Sequence, residues 1–133
     1  MDPLTRILAD TSATIAVVGA TDNREKYGSV IYRDLKRKGY RVLAVNPGRD
    51  TVDGDPAYAT VADLPVEPDI IDLVVPSSEG VKVVRQALDI GYDRIWVQPG
   101  AESPELLTIL QEEGAEYLAD ACIMVRSRVA LAD

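Results

Sequence analysis

The sequence of 133 residues contains no histidine and a single cysteine, Cys122. Without histidine, Ser-His-Asp and Cys-His nucleophilic catalysis, histidine metal sites and phosphohistidine chemistry are excluded. One cysteine cannot form an intrachain disulfide or a cysteine-based zinc site, which is typical of a protein from a reducing compartment. The sequence has no signal-peptide pattern and no apolar stretch near the ~20 residues of a membrane span. We therefore expect a cytoplasmic protein.

The chain is also poor in basic residues. It has 14 Lys and Arg against 22 Asp and Glu, which gives a formal net charge of −8. Because proteins that bind nucleic acid or anionic membranes carry basic surfaces, neither is an expected partner. A small phosphorylated ligand is still compatible with this charge. The length suits one domain, and we expect residues 1–133 to form it.

Five short runs rich in β-branched residues alternate with amphipathic stretches. The runs are almost continuously apolar, as in strands that are covered on both faces of a parallel sheet. They are residues 14–19, 41–46, 70–76, 94–98 and 116–119. Residues 57–61 predict a further edge strand. Residues 46–55, which contain two glycines and a proline, predict a loop.

Three amphipathic stretches predict helices, and each is followed directly by a glycine. Glycine past a helix end supplies the left-handed cap conformation before the next strand. The helices and glycines are residues 29–38 before Gly39, 78–90 before Gly91, and 104–113 before Gly114. In the third helix, Ser103 is a suitable N-cap and Pro104 a suitable first residue. A further helix is expected near residues 4–9.

The repeated order of strand, helix, glycine and strand is typical of right-handed βαβ units. The expected fold is therefore α/β, a Rossmann-like, doubly wound and mostly parallel sheet within a three-layer αβα single domain. Ligands of such sheets bind beyond the carboxyl ends of the strands, where the strand order reverses.

The loop after the first strand, residues 19–29, occupies the position that holds a diphosphate in dinucleotide-binding folds. Gly19 and Gly28 allow close approach of the backbone. Thr21 and Ser29 supply hydroxyl groups, and the N–H groups at the helix start attract anions. The glycine spacing G-x-G-x-x-G is absent, however, so a structural βα turn with solvated charges is the alternative interpretation.

Asn46 and Pro47 follow the second strand, where NAD-binding folds place an acidic residue that holds the ribose. An amide and a proline at this position weaken the case for a nicotinamide cofactor. The alternative interpretation of the pair is a simple turn without ligand contact.

Positive charge is concentrated in residues 24–49, which have eight basic and two acidic residues. The formal charge of this segment is +6. Because the whole chain has a formal charge of −8, the rest of the chain carries −14. Lys36, Arg37 and Lys38 end a predicted helix, where cations favour the helix dipole and face water. The candidates for phosphate contacts in loops at the ligand edge are Arg24, Lys26 and Arg49.

Six segments in order carry a family resemblance. They are IAVVGAT at 15–21, GYRVLAVNP at 39–47, VDGDPAYATVADLP at 52–65, IDLVVPS at 71–77, WVQPGAES at 96–103 and DACIMV at 120–125. Together they resemble the small stand-alone CoA-binding proteins with a Rossmann-like fold. More distantly, they resemble the CoA-binding domain of the succinyl-CoA synthetase alpha subunit. The resemblance covers nearly the whole chain.

The resemblance implies coenzyme A as the ligand, bound across the strand ends. It places Gly19, Ala20 and Thr21 at the diphosphate, with Arg24, Lys26 and Ser29 nearby. It also implies three further groups: Asn46 and Pro47 beside the adenosine, Val75, Pro76 and Ser77 in the middle, and Gln98, Pro99 and Gly100 beside the pantetheine.

The sequence also departs from these relatives. Succinyl-CoA synthetase needs a phosphorylated histidine on a further domain and an ATP-binding partner subunit, and this chain has no histidine. Thr21 stands where the family commonly has serine, and Arg126 and Ser127 stand where a Glu-His-like pair often follows. The resemblance therefore favours binding over the ligase reaction and leaves the tail without an expected role.

Cys122 has two interpretations. It is either a small buried apolar side chain, as free cysteine commonly is, or a thiol at the ligand edge that forms a mixed disulfide with CoA. Sequence alone does not choose between them, because reactivity depends on exposure and thiolate character.

Three functions are compatible with these features. The leading hypothesis is a non-catalytic protein that binds CoA or acyl-CoA. An NAD(P)-dependent oxidoreductase is the second, although little chain remains to build a substrate domain. The third is an interaction module with a vestigial nucleotide pocket. The sequence is compatible with an oligomer.

Overall fold

Seven strands and five helices follow one another along residues 1–132, the part of the chain that the computed structural model describes. The strands are β1 (Thr14–Val18), β2 (Arg41–Val45), β3 (Thr51–Val52), β4 (Asp55–Tyr58), β5 (Ile70–Leu73), β6 (Arg94–Val97) and β7 (Glu116–Ala119). The helices are α1 (Pro3–Ile7), α2 (Tyr27–Lys38), α3 (Ser77–Asp89), α4 (Pro104–Glu112) and α5 (Ile123–Ala132), and a 3-10 turn spans Val61–Asp63.

The strands form one sheet in the order β3-β4-β2-β1-β5-β6-β7. All neighbouring strands are parallel except β3 and β4. The chain adds β2 and β4 on one side of β1 and then β5, β6 and β7 on the other. The order therefore reverses between β1 and β5, as predicted for a doubly wound sheet.

Helices cover both faces of the sheet. On one face, Ile31 of α2 and Ile123 of α5 are buried in a core cluster that α1 also joins. On the other face, Val84 of α3 and Leu106 of α4 are buried in a second cluster. The apolar runs of the central strands follow from this arrangement, since both faces need apolar side chains. The expected three-layer α/β fold is confirmed.

The predicted helix ends are also present. The three glycines that follow α2, α3 and α4 adopt φ values of 105°, 89° and 71°, in the left-handed region. Ser103 begins α4, and its side chain accepts a hydrogen bond from Leu106 N at 3.1 Å. These local patterns therefore determined where the chain leaves each helix.

The prediction of a loop over residues 46–55 is wrong in its second half. Strand β3 and the start of β4 form an antiparallel hairpin there, with the turn at Asp53 and Gly54, whose φ values are 52° and 79°. An Asp-Gly pair favours such a turn because both residues tolerate positive φ. The edge strand predicted at 57–61 accordingly begins earlier, at Asp55, and ends at Tyr58.

The hairpin is tied to α2 by a small polar cluster. Asp55 accepts a hydrogen bond from Tyr32 Oη at 2.7 Å, and Lys36 Nζ lies 2.9 Å from the same carboxylate. Burial raises the pKa of Asp55, but these two partners outweigh it and the pKa lies below its ordinary value. The cluster thereby holds the hairpin beside the second strand, next to the ligand edge.

Lys38 does not face water as predicted. Its Nζ donates to Met124 O at 2.8 Å and to Ser127 Oγ at 2.7 Å, and it also lies 2.6 Å from Asp34 Oδ2. Periodicity placed Lys38 at the end of a helix but could not show that α5 packs against that end. Lys38 thus anchors the C-terminal helix, for which the sequence supplied no expected role.

Candidate functional site

A groove of about 1260 Å³ lies at the carboxyl ends of β1, β2, β5 and β6, where the strand order reverses. Its volume exceeds the ~300 to 1,000 Å³ of most small-molecule pockets, so it suits a long ligand. Residues on one face of α3 and residues 59–61, which lead into the 3-10 turn, also line the groove.

The loop between β1 and α2 forms one wall, which Gly19, Thr21, Lys26 and Gly28 line as predicted for this loop. Gly28, in the first turn of α2, lies so close to the end of β1 that an added Cβ would be 1.9 Å from Gly19 O. Gly19 has a φ of 103°, and a Cβ on it would lie 2.5 Å from Val74 O. Both positions therefore require glycine for the helix start to reach the strand end.

The start of α2 presents free hydrogen-bond donors beside this wall. Within residues 1–132, the N–H groups of Tyr27 and Gly28 have no backbone or side-chain acceptor. The same is true of Ser77 and Ser78 at the start of α3. These groups carry the positive ends of two helix dipoles, and Lys26 adds a full charge at the groove. Glu25 and Glu79 also line the groove and balance its two lysines, so the donors of the two helix starts are what favour an anion such as a phosphate.

Asn46 lines the groove, but its amide is already used within the protein. Its Nδ2 donates to Ala20 O at 2.9 Å, and its Oδ1 accepts from Gly48 N at 2.8 Å. The residue therefore both forms the predicted turn and links the end of β2 to the loop after β1. Pro47 follows it as an exposed lining residue.

Residues after β5 and β6 complete the floor and the far end. Val75 and Pro76 line the groove after β5, and Pro99 and Gly100 line it after β6. These positions follow from the parallel register, since the carboxyl ends of parallel strands meet at one edge.

Gln98 and Cys122 lie together at this far end. Gln98 is buried, and its Oε1 accepts a hydrogen bond from Ile123 N at 2.9 Å at the start of α5. Its Nε2 lies 3.6 Å from Cys122 Sγ. Cys122 is half-buried and lines the groove, so its thiol borders the ligand space rather than the core.

Five residues predicted for the site do not line the groove. Ala20 and Ser29 are buried, and Ser29 Oγ accepts from Arg33 Nε at 3.3 Å. Arg24 is exposed outside the lining, Arg49 Nη1 lies 3.5 Å from Asp22 Oδ2, and Ser77 is half-buried at the start of α3. The positive charge at the groove is therefore smaller than the loop composition predicts.

Sequence reasoning missed the wall contributed by α3. One face of this helix lines the groove, because the lining residues lie three, four and seven positions after the first of them. They are Glu79, Lys82, Val83 and Gln86. This periodicity was visible in the sequence. The opposite wall, at Thr60 and its neighbours, could not be found, because it depends on how the segment between β4 and β5 crosses the sheet.

Other kinds of site are not found within residues 1–132. No group of three or more Cys, Asp or Glu side chains is placed to hold a metal ion. No helix in that range has both the length and the apolar character needed to span a bilayer.

Comparison with known proteins agrees with this geometry. The sequence profile of the CoA binding domain family matches residues 13–128. Uncharacterized protein YneT of Bacillus subtilis is 27% identical over 118 residues, which are 89% of this chain and 87% of YneT. The alpha subunit of ADP-forming acetate–CoA ligase II of Pyrococcus furiosus is 29% identical over 121 residues. This match covers 82% of this chain but only 26% of the ligase subunit.

Solved structures show the same fold. A conserved hypothetical protein of Pyrococcus furiosus is 44% identical and superimposes with a TM-score of 0.83 over 85% of this chain and 97% of its own. A hypothetical protein of Pyrococcus horikoshii is 30% identical with a TM-score of 0.88, over 98% and 92% of the two chains. The family profile matches most of the length of this chain, which confirms the resemblance seen in the sequence. The chain therefore belongs to the CoA binding domain family.

Proposed function

We propose that this protein binds CoA or acyl-CoA in the groove and holds it without catalysing a reaction. The observation that carries the proposal is the set of free N–H groups of Tyr27 and Gly28 beside Lys26, in the middle of a groove long enough for a dinucleotide-like ligand. Membership of the family supports the choice of CoA among such ligands.

The residues of the groove fit the parts of CoA. The donors at the start of α2 suit the diphosphate, because the tight contact between Gly28 and Gly19 O brings the helix start to the strand end. Pro47 borders the adenosine part, and Val75 and Pro76 border the middle of the ligand. Arg49 lies near this end and would contact a phosphate only after leaving Asp22.

The pantetheine part belongs at the opposite end, near Gln98, Pro99 and Gly100. CoA supplies a thiol or thioester, and Cys122 is the protein thiol that borders this space. Gln98 keeps the start of α5 in place through Ile123 N, so the far end of the groove is preformed.

A binding role is favoured over a ligase role. The acetate–CoA ligase subunit is about four times as long as the matched region, and the chain contains no histidine for a phosphohistidine step. A carrier or sensor of CoA in the cytoplasm is therefore the function we propose.

CoA is also favoured over NAD(P). NAD-binding folds use an acidic side chain after the second strand to accept the ribose hydroxyl. In this chain the position is held by Asn46, a neutral amide that bonds to Ala20 O and Gly48 N, so no carboxylate is offered to the ribose there.

Calorimetry of the purified protein with CoA tests the proposal, with dephospho-CoA and NAD as comparison ligands. We expect CoA to bind and NAD to bind weakly or not at all. Lys26→Ala should weaken CoA binding by roughly 10-fold or more, the loss typical of a charged hydrogen bond, while Arg37→Ala at the other end of α2 should not. Absence of CoA binding by the wild-type protein would overturn the proposal and favour the interaction module with a vestigial pocket.

A further inference from the structure

A row of three residues at the strand ends forms part of the groove floor. They are Gly19 after β1, Val74 after β5 and Gln98 after β6, and all three line the groove. Successive side chains of a strand alternate between the two faces of a sheet, so the residue before Val74 on the same face is Asp72. Two residues along a strand span ~7 Å, which places Asp72 directly beneath the floor.

Asp72 is a buried acid without a partner. It is fully buried, and within residues 1–132 neither of its carboxyl oxygens has a hydrogen-bond partner. Burial raises its pKa well above the ordinary value, so the folded protein keeps the acid protonated to higher pH than the unfolded chain does. An unpaired buried acid lowers stability, and such a residue in a central strand is expected where function requires it.

No neighbouring charge on this face of the sheet is available to Asp72. The buried and half-buried ionisable side chains around it have other partners in the part of the chain described. Tyr32 bonds to Asp55, Tyr40 to Leu8 O, Arg33 to Ser29, Lys38 to Asp34, Arg126 to Asp2, and Asp69 to Thr14 N. Cys122 lies above, at the groove, beside the amide of Gln98. The charge state of Asp72 therefore depends on burial and on what occupies the groove.

We propose that Asp72 is a proton switch for the groove: the protein binds its anionic ligand tightly while this acid is protonated and weakly once it is ionised. The inference rests on the proposed function, because it needs a ligand that carries phosphates. A carboxylate beneath the floor would repel phosphates held at the start of α2, and the buried site is poorly screened by salt. The protonated acid exerts no such repulsion.

The direction of the pH dependence follows from this repulsion. A bound anion disfavours the ionised acid, so the pKa of Asp72 is higher in the complex than in the free protein. Binding therefore takes up a proton at pH values between these two pKa values. The affinity is constant below the pKa of the free protein and falls as pH rises through it, by up to about 10-fold per pH unit, until the pKa of the complex is reached.

The size of the effect follows from Coulomb's law. At ~10 Å and an effective dielectric constant of ~20, the repulsion between one carboxylate charge and one phosphate charge changes an affinity roughly 10-fold. A ligand with several phosphate charges should show at least this change.

Calorimetry of CoA with the wild type and with Asp72→Asn, from pH 5 to pH 9, tests the proposal. Asparagine has nearly the shape of aspartic acid but does not ionise, so the variant stands for the protonated state. We expect equal affinities at the low end of the range and a variant that binds roughly 10-fold tighter, or more, at the high end. The ratio of the two affinities removes the titration of the CoA phosphates and of Cys122, which both proteins share.

A second readout counts protons. Titrations in buffers of different ionisation enthalpy should show that the wild type takes up protons on binding CoA that Asp72→Asn does not take up. Asp89→Asn removes an exposed carboxylate at the far end of α3, and it should follow the wild type at every pH. Asp72→Val also cannot ionise, so it should bind like Asp72→Asn and provides the test if the asparagine variant does not fold.

The outcomes separate the two proposals. If the wild type binds CoA but the ratio of its affinity to that of Asp72→Asn is constant with pH, the proton switch is overturned and CoA binding stands. If neither the wild type nor the variants bind CoA at any pH, the proposed function fails and the switch fails with it.

Discussion

Replacing Asp72 should stabilise this protein, an unusual expectation for a residue in the central sheet. Asp72 lies in β5 between Val17 and Trp96 and is fully buried, and neither of its carboxyl oxygens has a hydrogen-bond partner within residues 1–132. The neighbouring indole N–H of Trp96 is engaged with Ala121 O at 2.8 Å. Burial raises the pKa of Asp72 well above its ordinary value of 3.8, so folding favours the protonated acid.

The magnitude has two parts. An unpaired buried polar group costs about 1 to 3 kcal/mol even when it is uncharged, and Asp72→Val removes that cost. In addition, the unfolded chain ionises near pH 3.8 while the folded protein retains the proton to higher pH. The stability of the wild type therefore falls as pH rises through this window, by about 1.4 kcal/mol per pH unit, until the folded pKa is reached.

Thermal and urea unfolding of wild type and Asp72→Val between pH 4 and 7 measure both parts. We expect the variant to be more stable throughout, by about 4 °C in melting temperature per kcal/mol, with a difference that grows as pH rises. Asp72→Asn should remove the growth with pH but retain an unpaired amide. Asp69→Ala is the matched control, and we expect it to destabilise the protein. Asp69 Oδ2 accepts a hydrogen bond at 2.8 Å from the N–H of Thr14, a buried residue, and the variant loses that bond.

The result that refutes this reasoning is a variant Asp72→Val that is less stable than the wild type at neutral pH. A stability difference that does not change with pH would show that Asp72 is not protonated by folding.

Three further predictions concern the groove and its supports. Gly28→Ala should weaken CoA binding at least 10-fold in calorimetry, because its Cβ would lie 1.9 Å from a backbone oxygen and push α2 from the strand end. Incubation with CoA disulfide should add one CoA to the protein by intact mass, as the thiolate of Cys122 displaces one CoA thiolate from the disulfide. Lys38→Ala should lower the free energy of unfolding by about 1 to 3 kcal/mol in urea, because it frees α5 from α2.

Each of these has a matched control. Gly80→Ala, in α3, places a Cβ at an ordinary 3.7 Å from Leu73 Cδ1, and it should leave binding intact. Cys122→Ser should form no CoA adduct, and an adduct that survives this change or resists reduction would exclude the disulfide. Arg37→Ala changes the exposed neighbour of Lys38, and an equal loss of stability in both variants would show that the contacts to α5 contribute nothing.

Most of the fold was predictable because its determinants are local. A strand covered on both faces must be apolar along its length, as β1 is, and glycine directly after a helix marks where the chain turns. The antiparallel hairpin was missed although its Asp-Gly turn is in the sequence, since the surrounding polar residues favoured a loop. The role of Lys38 was not predictable, because its partners Met124 and Ser127 lie more than 80 residues away along the chain.

The site was predictable where it follows strand ends and not where it depends on packing across the sheet. Gly19 and Gly28 were found because they flank a βα turn at the reversal of strand order. Gln86 was not, because it becomes a groove residue only when α3 lies opposite the short crossover. Arg49 was expected at the phosphates from its loop, but Asp22 holds it beside the groove.

The sequence by itself determined the order of strands and helices, the absence of histidine chemistry and the family, because each is written in composition or in short contiguous segments. The tertiary structure decided which of these segments meet. Within residues 1–132, it placed the carboxyl group of Asp72 without a hydrogen-bond partner, committed the amide of Asn46 to the protein and brought Gln86 to the wall of the groove. These outcomes depend on contacts between residues distant in the chain, which no local pattern specifies.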